Sequence, residues 1–319
     1  MCIIQKILLG EKQMFLYKID SNNKLSEIKE RKFDKEIELH KLCENNIEKI
    51  FGLKFVRREF AVGSFRLDTL AFDENSKSFV IIEYKNTSNF SVVDQGYAYL
   101  SLMLNNKADF ILEYNENCKE TLKRNDVDWS QSRVIFVSPS FNNYQKQSIN
   151  FKDLPFELWE VKKFENNTVY FKQIEATNRS ESVKTISTNN SEVSIVNKEV
   201  KVYTEETHFE NSSEDIIEIY NKVKDFLLSL DESINIKVTK VYIGFRIKNK
   251  NFVDILPQKR ALKIWLNAKY GEIQDYKNIA RNVSSTGHWG NGDYEIQITN
   301  DDDIEYIHSM IKELYKQKA

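Results

Sequence analysis

The residues whose types and spacing could do chemistry together lie in two neighbouring runs. These are Arg66-Leu67-Asp68-Thr69-Leu70-Ala71-Phe72-Asp73 and Val80-Ile81-Ile82-Glu83-Tyr84-Lys85. Both are rich in apolar and β-branched residues and read as strands, and the polar Glu74-Asn75-Ser76-Lys77 between them suits a tight hairpin. With Asn75-Ser76 as a two-residue loop and Asn75 at positive φ, Phe72 stands opposite Phe79 and Asp68 opposite Glu83. Opposed residues have Cβ atoms about 5 Å apart, and two carboxylates that close repel unless a cation lies between them. Alternation puts Lys85 on the face of Glu83. Phosphodiester cleavage uses such a set. Carboxylate oxygens hold Mg²⁺ at about 2.1 Å, and the metal acidifies a bound water and offsets phosphate charge. A lysine ammonium can orient the attacking water and stabilise the developing negative charge. The competing interpretation is that Glu83 and Lys85 are the solvent-facing half of an ordinary strand.

Further residues fall at spacings that would support such a site. Ser91-Val92-Val93-Asp94 fits a capping box and opens a helix to Asn105, on which Gln95 and Tyr99 share a face. Upstream, Asp34 to Phe51 reads as a single helix whose inward stripe joins Glu36 to Leu39, Cys43, Ile47 and Ile50. A carboxylate on an apolar stripe needs a partner, and a metal or lysine would serve. Glu38 and Glu44 are alternatives that the periodicity places less well, and a glutamate snorkelling at the stripe's edge is the other explanation.

Asp68, Glu83-Tyr84-Lys85 and the Gln95…Tyr99 pair resemble the PD-(D/E)XK nuclease superfamily, in particular its RecB-like branch with a Gln-x-x-x-Tyr motif. The resemblance covers roughly residues 33–112, and Leu67 stands where the family often has proline. It implies a restriction-endonuclease-like mixed sheet flanked by helices. It also implies metal ligation by Asp68, Glu83 and the Tyr84 carbonyl, and a catalytic Lys85. Glu36 would be the first-helix acid, and Gln95, Tyr99 and Arg66 would contact nucleic acid. The activity so implied is that of a Mg²⁺-dependent DNA endonuclease, with Mn²⁺ substituting, and defence against foreign DNA is an extension of it. A non-cleaving nucleic-acid-binding or assembly module on the same scaffold is the second expectation.

The elements that must position these residues are α/β in the first part. Strands are expected at Met14–Ile19, Phe65–Phe72, Phe79–Tyr84, Phe110–Tyr114 and Val134–Val137, with helices between them. Met14 is a second candidate start. Residues 175–198 offer little to bury and read as a flexible linker between a domain at 1–174 and a smaller α+β accessory domain at 199–319. The second part should have a helix over Ser213–Leu230. Strands at Val238–Lys248, Asn251–Leu256, Leu262–Leu266 and Tyr294–Ile298 follow, then a closing helix from Asp302 to Tyr315. It resembles an uncharacterised domain that trails nucleases of this kind, some of whose bearers carry a "predicted transport protein" label. Its distinctive stretch, residues 282–293, surrounds His288 and Trp289 with glycines where backbone could approach a ligand. Lys259, Arg260, Lys263, Trp265, Lys269 and Arg281 mix cations with an aromatic, as phosphate and base contacts would, although a solvated basic face has the same composition. Arg260 and Trp289 are the nucleic-acid candidates here.

Composition narrows the classes. The chain has 319 residues and a net charge of −2, so it cannot bind nucleic acid by bulk charge, and any such site must be a local patch. Three cysteines and four histidines are too few for a disulfide framework or a His-rich metal centre. No apolar run nears the roughly 20 residues needed to cross a bilayer. A cytoplasmic protein without membrane contact is expected, with a homodimer as one arrangement open to it.

Overall fold

The computed structural model describes residues 16–86, 91–149, 154–174, 191–287 and 290–319. Tyr17–Ile19 (β1) and Leu25–Glu27 (β2) form a small ribbon ahead of the first sheet. Glu30–Arg31 (β3), helices Glu36–Glu44 (α1) and Ile47–Phe51 (α2), and the strands Lys54–Val62 (β4), Phe65–Asp73 (β5) and Ser78–Tyr84 (β6) follow. Then come helices Val92–Asn105 (α3) and Lys107–Asn117 (α4), strand Arg133–Ser138 (β7), helix Asn143–Ser148 (α5), and strands Phe156–Phe164 (β8) and Val169–Ile174 (β9). The sheet order is β3-β8-β7-β6-β5-β4, with β9 beside β8. Strands β6, β7 and β8 run parallel and the other pairs antiparallel. This is the mixed sheet expected.

Alternation divides the sheet into two layers. Leu70, Phe72, Phe79, Ile81 and Phe136 pack with Leu100, Met103, Phe110 and Tyr114 of α3 and α4. Ala71, Val80, Ile82, Tyr84 and Val137 pack with Leu39, Cys43, Ile47 and Phe51 of α1 and α2. With both faces covered, all seven residues of β6 are buried.

Four expectations are corrected. Phe110–Tyr114 is helix, because Phe110 and Tyr114, four apart, are the buried pair of α4 while Leu112 is exposed. The first helix is two, broken at Asn45-Asn46, and α2 ends on Gly52 in the left-handed region at φ 67°. The β5–β6 loop is the four residues Glu74–Lys77 rather than two: Asp73 Oδ1 accepts from Asn75 N at 3.0 Å, and Lys77 takes the positive φ. Residues 191–198, expected to belong to the linker, lie in a helix (α6, Ser191–Glu199) that docks on α3, and the fully buried Val196 joins the first core. Val196 and Val200 sit four apart, enough to anchor a short amphipathic segment. The rest of the expected linker, and residues 14 and 15 of the first expected strand, lie outside the described residues.

The second part contains helices Glu205–Phe209 (α7), Glu214–Leu230 (α8) and Ile304–Lys318 (α9). Its strands are Asn235–Val238 (β10), Ile243–Ile247 (β11), Lys250–Pro257 (β12), Leu262–Leu266 (β13), Ala280–Asn282 (β14) and Tyr294–Ile298 (β15). They make an antiparallel sheet of order β10-β11-β12-β13-β15-β14, against which α8 and α9 bury Ile216, Tyr220, Val223, Ile307, Met310 and Leu314. The expected strand at 238–248 is divided between β10 and β11. The two parts meet where β5 turns into β6 and β7 and β8 begin. There the Tyr242 hydroxyl donates to the Asn75 carbonyl at 3.1 Å, Lys240 N donates to Gln131 Oε1 at 2.9 Å, and Lys237 pairs with Glu157 at 3.3 Å.

Candidate active site

In the buried strand β6, Glu83 is the one acid. Phe72 pairs with Phe79 and Thr69 with Ile82, the expected register, and Asp68 and Glu83 are the residues just past the last pair of the ladder. A longer loop leaves this register intact because it opens symmetrically about the same centre. Asp68 Oδ2 accepts a hydrogen bond from Tyr84 N at 3.0 Å. Lys85 Nζ lies 2.6 Å from Glu83 Oε1. The two acids and the lysine therefore share one corner of the sheet.

Helix α3 closes over this corner. Its Ser91 Oγ accepts from Asp94 N at 3.3 Å, the cap that the sequence pattern suggested. Gly96 lets the helix approach β8: a Cβ there would stand 2.4 Å from the Phe156 ring. The Tyr99 hydroxyl lies beside Glu83 and favours its ionised form, and Gln95 Oε1 is buried without a hydrogen-bond partner among the described residues. Helix α1 approaches from the other layer. Glu36 Oε2 accepts from Asn86 N at 3.0 Å, and the Glu36 side chain is half exposed rather than on the buried stripe, which runs through Leu39, His40, Cys43 and Glu44. Glu44 is committed elsewhere, to Thr69 Oγ1 at 2.7 Å and to Arg58. Glu38 is held by Lys163.

His40 belongs to the same cluster and sequence reading gave it no role. Its Nε2 lies 3.8 Å from both Glu36 Oε1 and Asp68 Oδ2, and its ring packs 4.4 Å from that of Tyr84. The available signal was its position four residues after Glu36, on the same helical face.

Burial dominates the electrostatics. It pushes Glu83 up to about 7, helped by the charge of Asp68 and opposed by Lys85 and the Tyr99 hydroxyl. Asp68 is raised for the same first reason, against the pull of the Tyr84 amide, His40 and Lys85. Burial alone would lower Lys85, but the hydrogen bond and charge of Glu83 raise it overall. Tyr99 is raised by burial and then by Glu83. Glu83 Oε2 is buried and has no hydrogen-bond partner among the described residues. An orphaned carboxylate oxygen beside a second carboxylate fits a hard cation, and Mg²⁺ usually takes one or two protein carboxylates and keeps several waters. Among the described residues, no three His, Cys, Asp or Glu side chains converge as a metal-binding group.

The remaining candidates lie apart from this corner or are otherwise engaged. Arg66 is exposed and paired with Glu59. Arg260 is exposed on the turn between β12 and β13. Trp289, like His288, lies outside the described residues. Trp265 is fully buried, its Nε1 donating to Glu295 Oε2 at 3.1 Å, and Lys263 and Arg281 pair with the same carboxylate. The cation-plus-aromatic mixture read from the sequence therefore has a core tryptophan at its centre, unavailable for stacking on a base.

A protein of Haemophilus influenzae described as uncharacterised is 50% identical over 292 residues, covering 92% of this chain and 96% of its own length. The chain belongs to that protein's family. Residues 205–318 match a domain of unknown function, DUF5655. Among solved structures, the chain is similar to a repair endonuclease from Pyrococcus abyssi, at 22% identity and a TM-score of 0.26 over 38% of this chain and 45% of that one. It is also similar to EndoMS in a complex with double-stranded DNA, at 20% identity and a TM-score of 0.27 over 43% of this chain and 51% of that one. The chain thus spans about half the length of these solved structures.

Proposed function

We propose that the first part of this protein is a metal-dependent nuclease that hydrolyses phosphodiester bonds in DNA, and that residues 199–319 select its target or a partner. The observation that supports this best is the buried Glu83 beside the charge of the half-buried Asp68, with Lys85 Nζ 2.6 Å from Glu83 Oε1, at one corner of a mixed sheet. Asp68, Glu83 and the Tyr84 carbonyl would hold Mg²⁺, or Mn²⁺ in its place. The bound ion would supply an acidified water and a counter-charge for the phosphate. Lys85 would orient the attacking water and stabilise the charge that develops on the phosphate oxygens. The Tyr99 hydroxyl beside Glu83 would favour its ionised form, and Glu36 holds the Asn86 amide, the backbone just past Lys85. Gln95, whose buried amide oxygen has no partner among the described residues, would meet the nucleic acid.

The direct test incubates the full chain and its Asp68→Asn, Glu83→Gln and Lys85→Ala variants with Mg²⁺ and a panel of single-stranded, double-stranded and modified DNA and of RNA. Cleavage by the native chain that EDTA stops and each substitution abolishes is expected. Cleavage retained by Asp68→Asn or Glu83→Gln would show that another site is responsible.

A further inference from the structure

The two ends of the first sheet differ. The end where β5 turns into β6 is closed by the second part. Ser132 and Arg246, whose hydroxyl and Nε have no hydrogen-bond partner among the described residues, are shut in there and open to no ligand. The carboxylate end carries two exposed aromatic rings instead. Phe65 opens β5 three residues before Asp68, roughly 10 Å further along the strand, and is 45% exposed. It pairs with Val62 across the tip of the β4–β5 hairpin. Gly63 in that tip has a positive φ of 57°, and a Cβ there would meet nothing within 4 Å, so the tip stands clear of the body. Arg66, beside Phe65, is exposed, and so is its partner Glu59, a surface pair that a phosphate can replace.

Tyr144 lies on the other side of the carboxylates. Strand β7 runs parallel to β6, with Val137 beside Tyr84, so the chain leaves β7 at the carboxylate end. Glu160, paired with Ser138 at the end of that strand, accepts from Phe141 N at 3.4 Å and holds Lys146 at 3.0 Å. These bonds tie the start of α5 to this end of the sheet, and Tyr144, between them in sequence, is 76% exposed. In the order β5-β6-β7 the two rings therefore bracket Glu83, from strands about 10 Å apart.

A single exposed apolar ring is common on a protein surface. Two that bracket a corner otherwise made of charged groups match a polyanion whose phosphates cross the middle and whose flat bases lie to the sides. In a duplex each base is already paired and stacked, whereas a single strand offers its faces. We propose that Phe65 and Tyr144 stack on the bases on either side of the phosphate held at Asp68 and Glu83, with Arg66 on a neighbouring phosphate, so that the site takes single-stranded DNA in preference to duplex. The place of the phosphate rests on the nuclease reading, but the stacking is measured without cleavage.

The experiment is fluorescence-anisotropy titration of a labelled oligothymidylate, an abasic backbone of equal length and a duplex. The protein is the full chain carrying Glu83→Gln, in EDTA, so that nothing is cut and one repelling charge is gone. The single strand should bind about tenfold or more tightly than the duplex. Phe65→Ala and Tyr144→Ala should each weaken it by about tenfold, with the melt unaltered because both side chains are exposed. Phe65→Tyr and Tyr144→Phe keep a ring and should bind as before, whereas Phe65→Leu, apolar without a ring, should bind like Phe65→Ala. The abasic backbone should not distinguish chains with and without the rings. Single-strand affinity untouched by both alanine substitutions would overturn the proposal, as would duplex bound as tightly as the single strand. If the binding results are as expected and the native chain with Mg²⁺ cuts nothing, the nuclease reading fails and the stacking site stands.

Discussion

Replacing Glu83 by glutamine should stabilise the metal-free protein at high pH and not at low pH. The unfolded glutamate titrates near 4.5 and the folded one near 7. Folding therefore favours the protonated form. Below about 4.5 the group contributes nothing to the pH dependence. As pH rises through 4.5 to 7 the unfolded chain releases its proton first, and stability is lost until both states are ionised. At 1.36 kcal/mol per tenfold change in acidity, the loss is roughly 3 kcal/mol. Glutamine keeps the shape and removes the titration, but it deprives Lys85 of the partner now at 2.6 Å, returning about 1 kcal/mol. The net expectation is that Glu83→Gln unfolds at higher urea than the native chain at pH 8, by about 2 kcal/mol, and loses this advantage at pH 4.5. Urea unfolding in EDTA at the two pH values, followed by tryptophan fluorescence, measures it. Adding Mg²⁺ at pH 8 should stabilise the native chain and not the variant. If Glu83→Gln were destabilising by the same amount at both pH values, Glu83 would be an ordinary ionised partner of Lys85. The idea of two carboxylates awaiting a cation would then be refuted.

Other substitutions probe the elements around the pair. Lys85→Ala should reduce Mg²⁺-dependent cleavage by roughly a hundredfold or more, as loss of one charge-stabilising donor typically does, with an unchanged circular dichroism spectrum. Gly96→Ala places a methyl 2.4 Å from the Phe156 ring and should cost about 1–3 kcal/mol in thermal unfolding while shifting Gln95 and Tyr99 enough to slow cleavage. Asp254, fully buried, accepts from Asn291 N at 2.7 Å and from the Asn291 and Asn251 amides at 2.8 and 2.7 Å. Asp254→Ala strands those donors and should cost several kcal/mol, read by hydrogen exchange in β12. A fragment ending at residue 203 should melt higher than one ending at 174, because the shorter one lacks α6 and its buried Val196. Equal melting of the two would show that α6 adds nothing to the first core.

The sequence was most legible where a local rule and a long-range one agreed. The β5–β6 register followed from alternation plus a polar turn, and it held although the loop was twice the expected length, because lengthening a hairpin symmetrically moves no pair. The α3 cap and the Gln95–Tyr99 face depended on four-residue spacing alone and were equally readable. Legibility failed where tertiary packing decided between equal local options. Phe110-Ile111-Leu112 has strand-like composition, and only the arrival of Phe79 and Phe72 against Phe110 and Tyr114 selects the helical face. Val196 looked like a stray apolar residue in a polar tract until α3 supplied its partner. His40 offered only its four-residue spacing from Glu36, and what distinguishes it is a buried nitrogen beside Asp68, brought from a distant part of the chain. That asymmetry bears on where function is sought in this family. Motif spacing points to the corner with Asp68 and Glu83, whereas Ser132, just ahead of β7, and Arg246, on β11 of the second sheet, carry no motif at all. The first sheet thus carries the motif at one corner, and the C-terminal half packs where β5 turns into β6 and β7 and β8 begin.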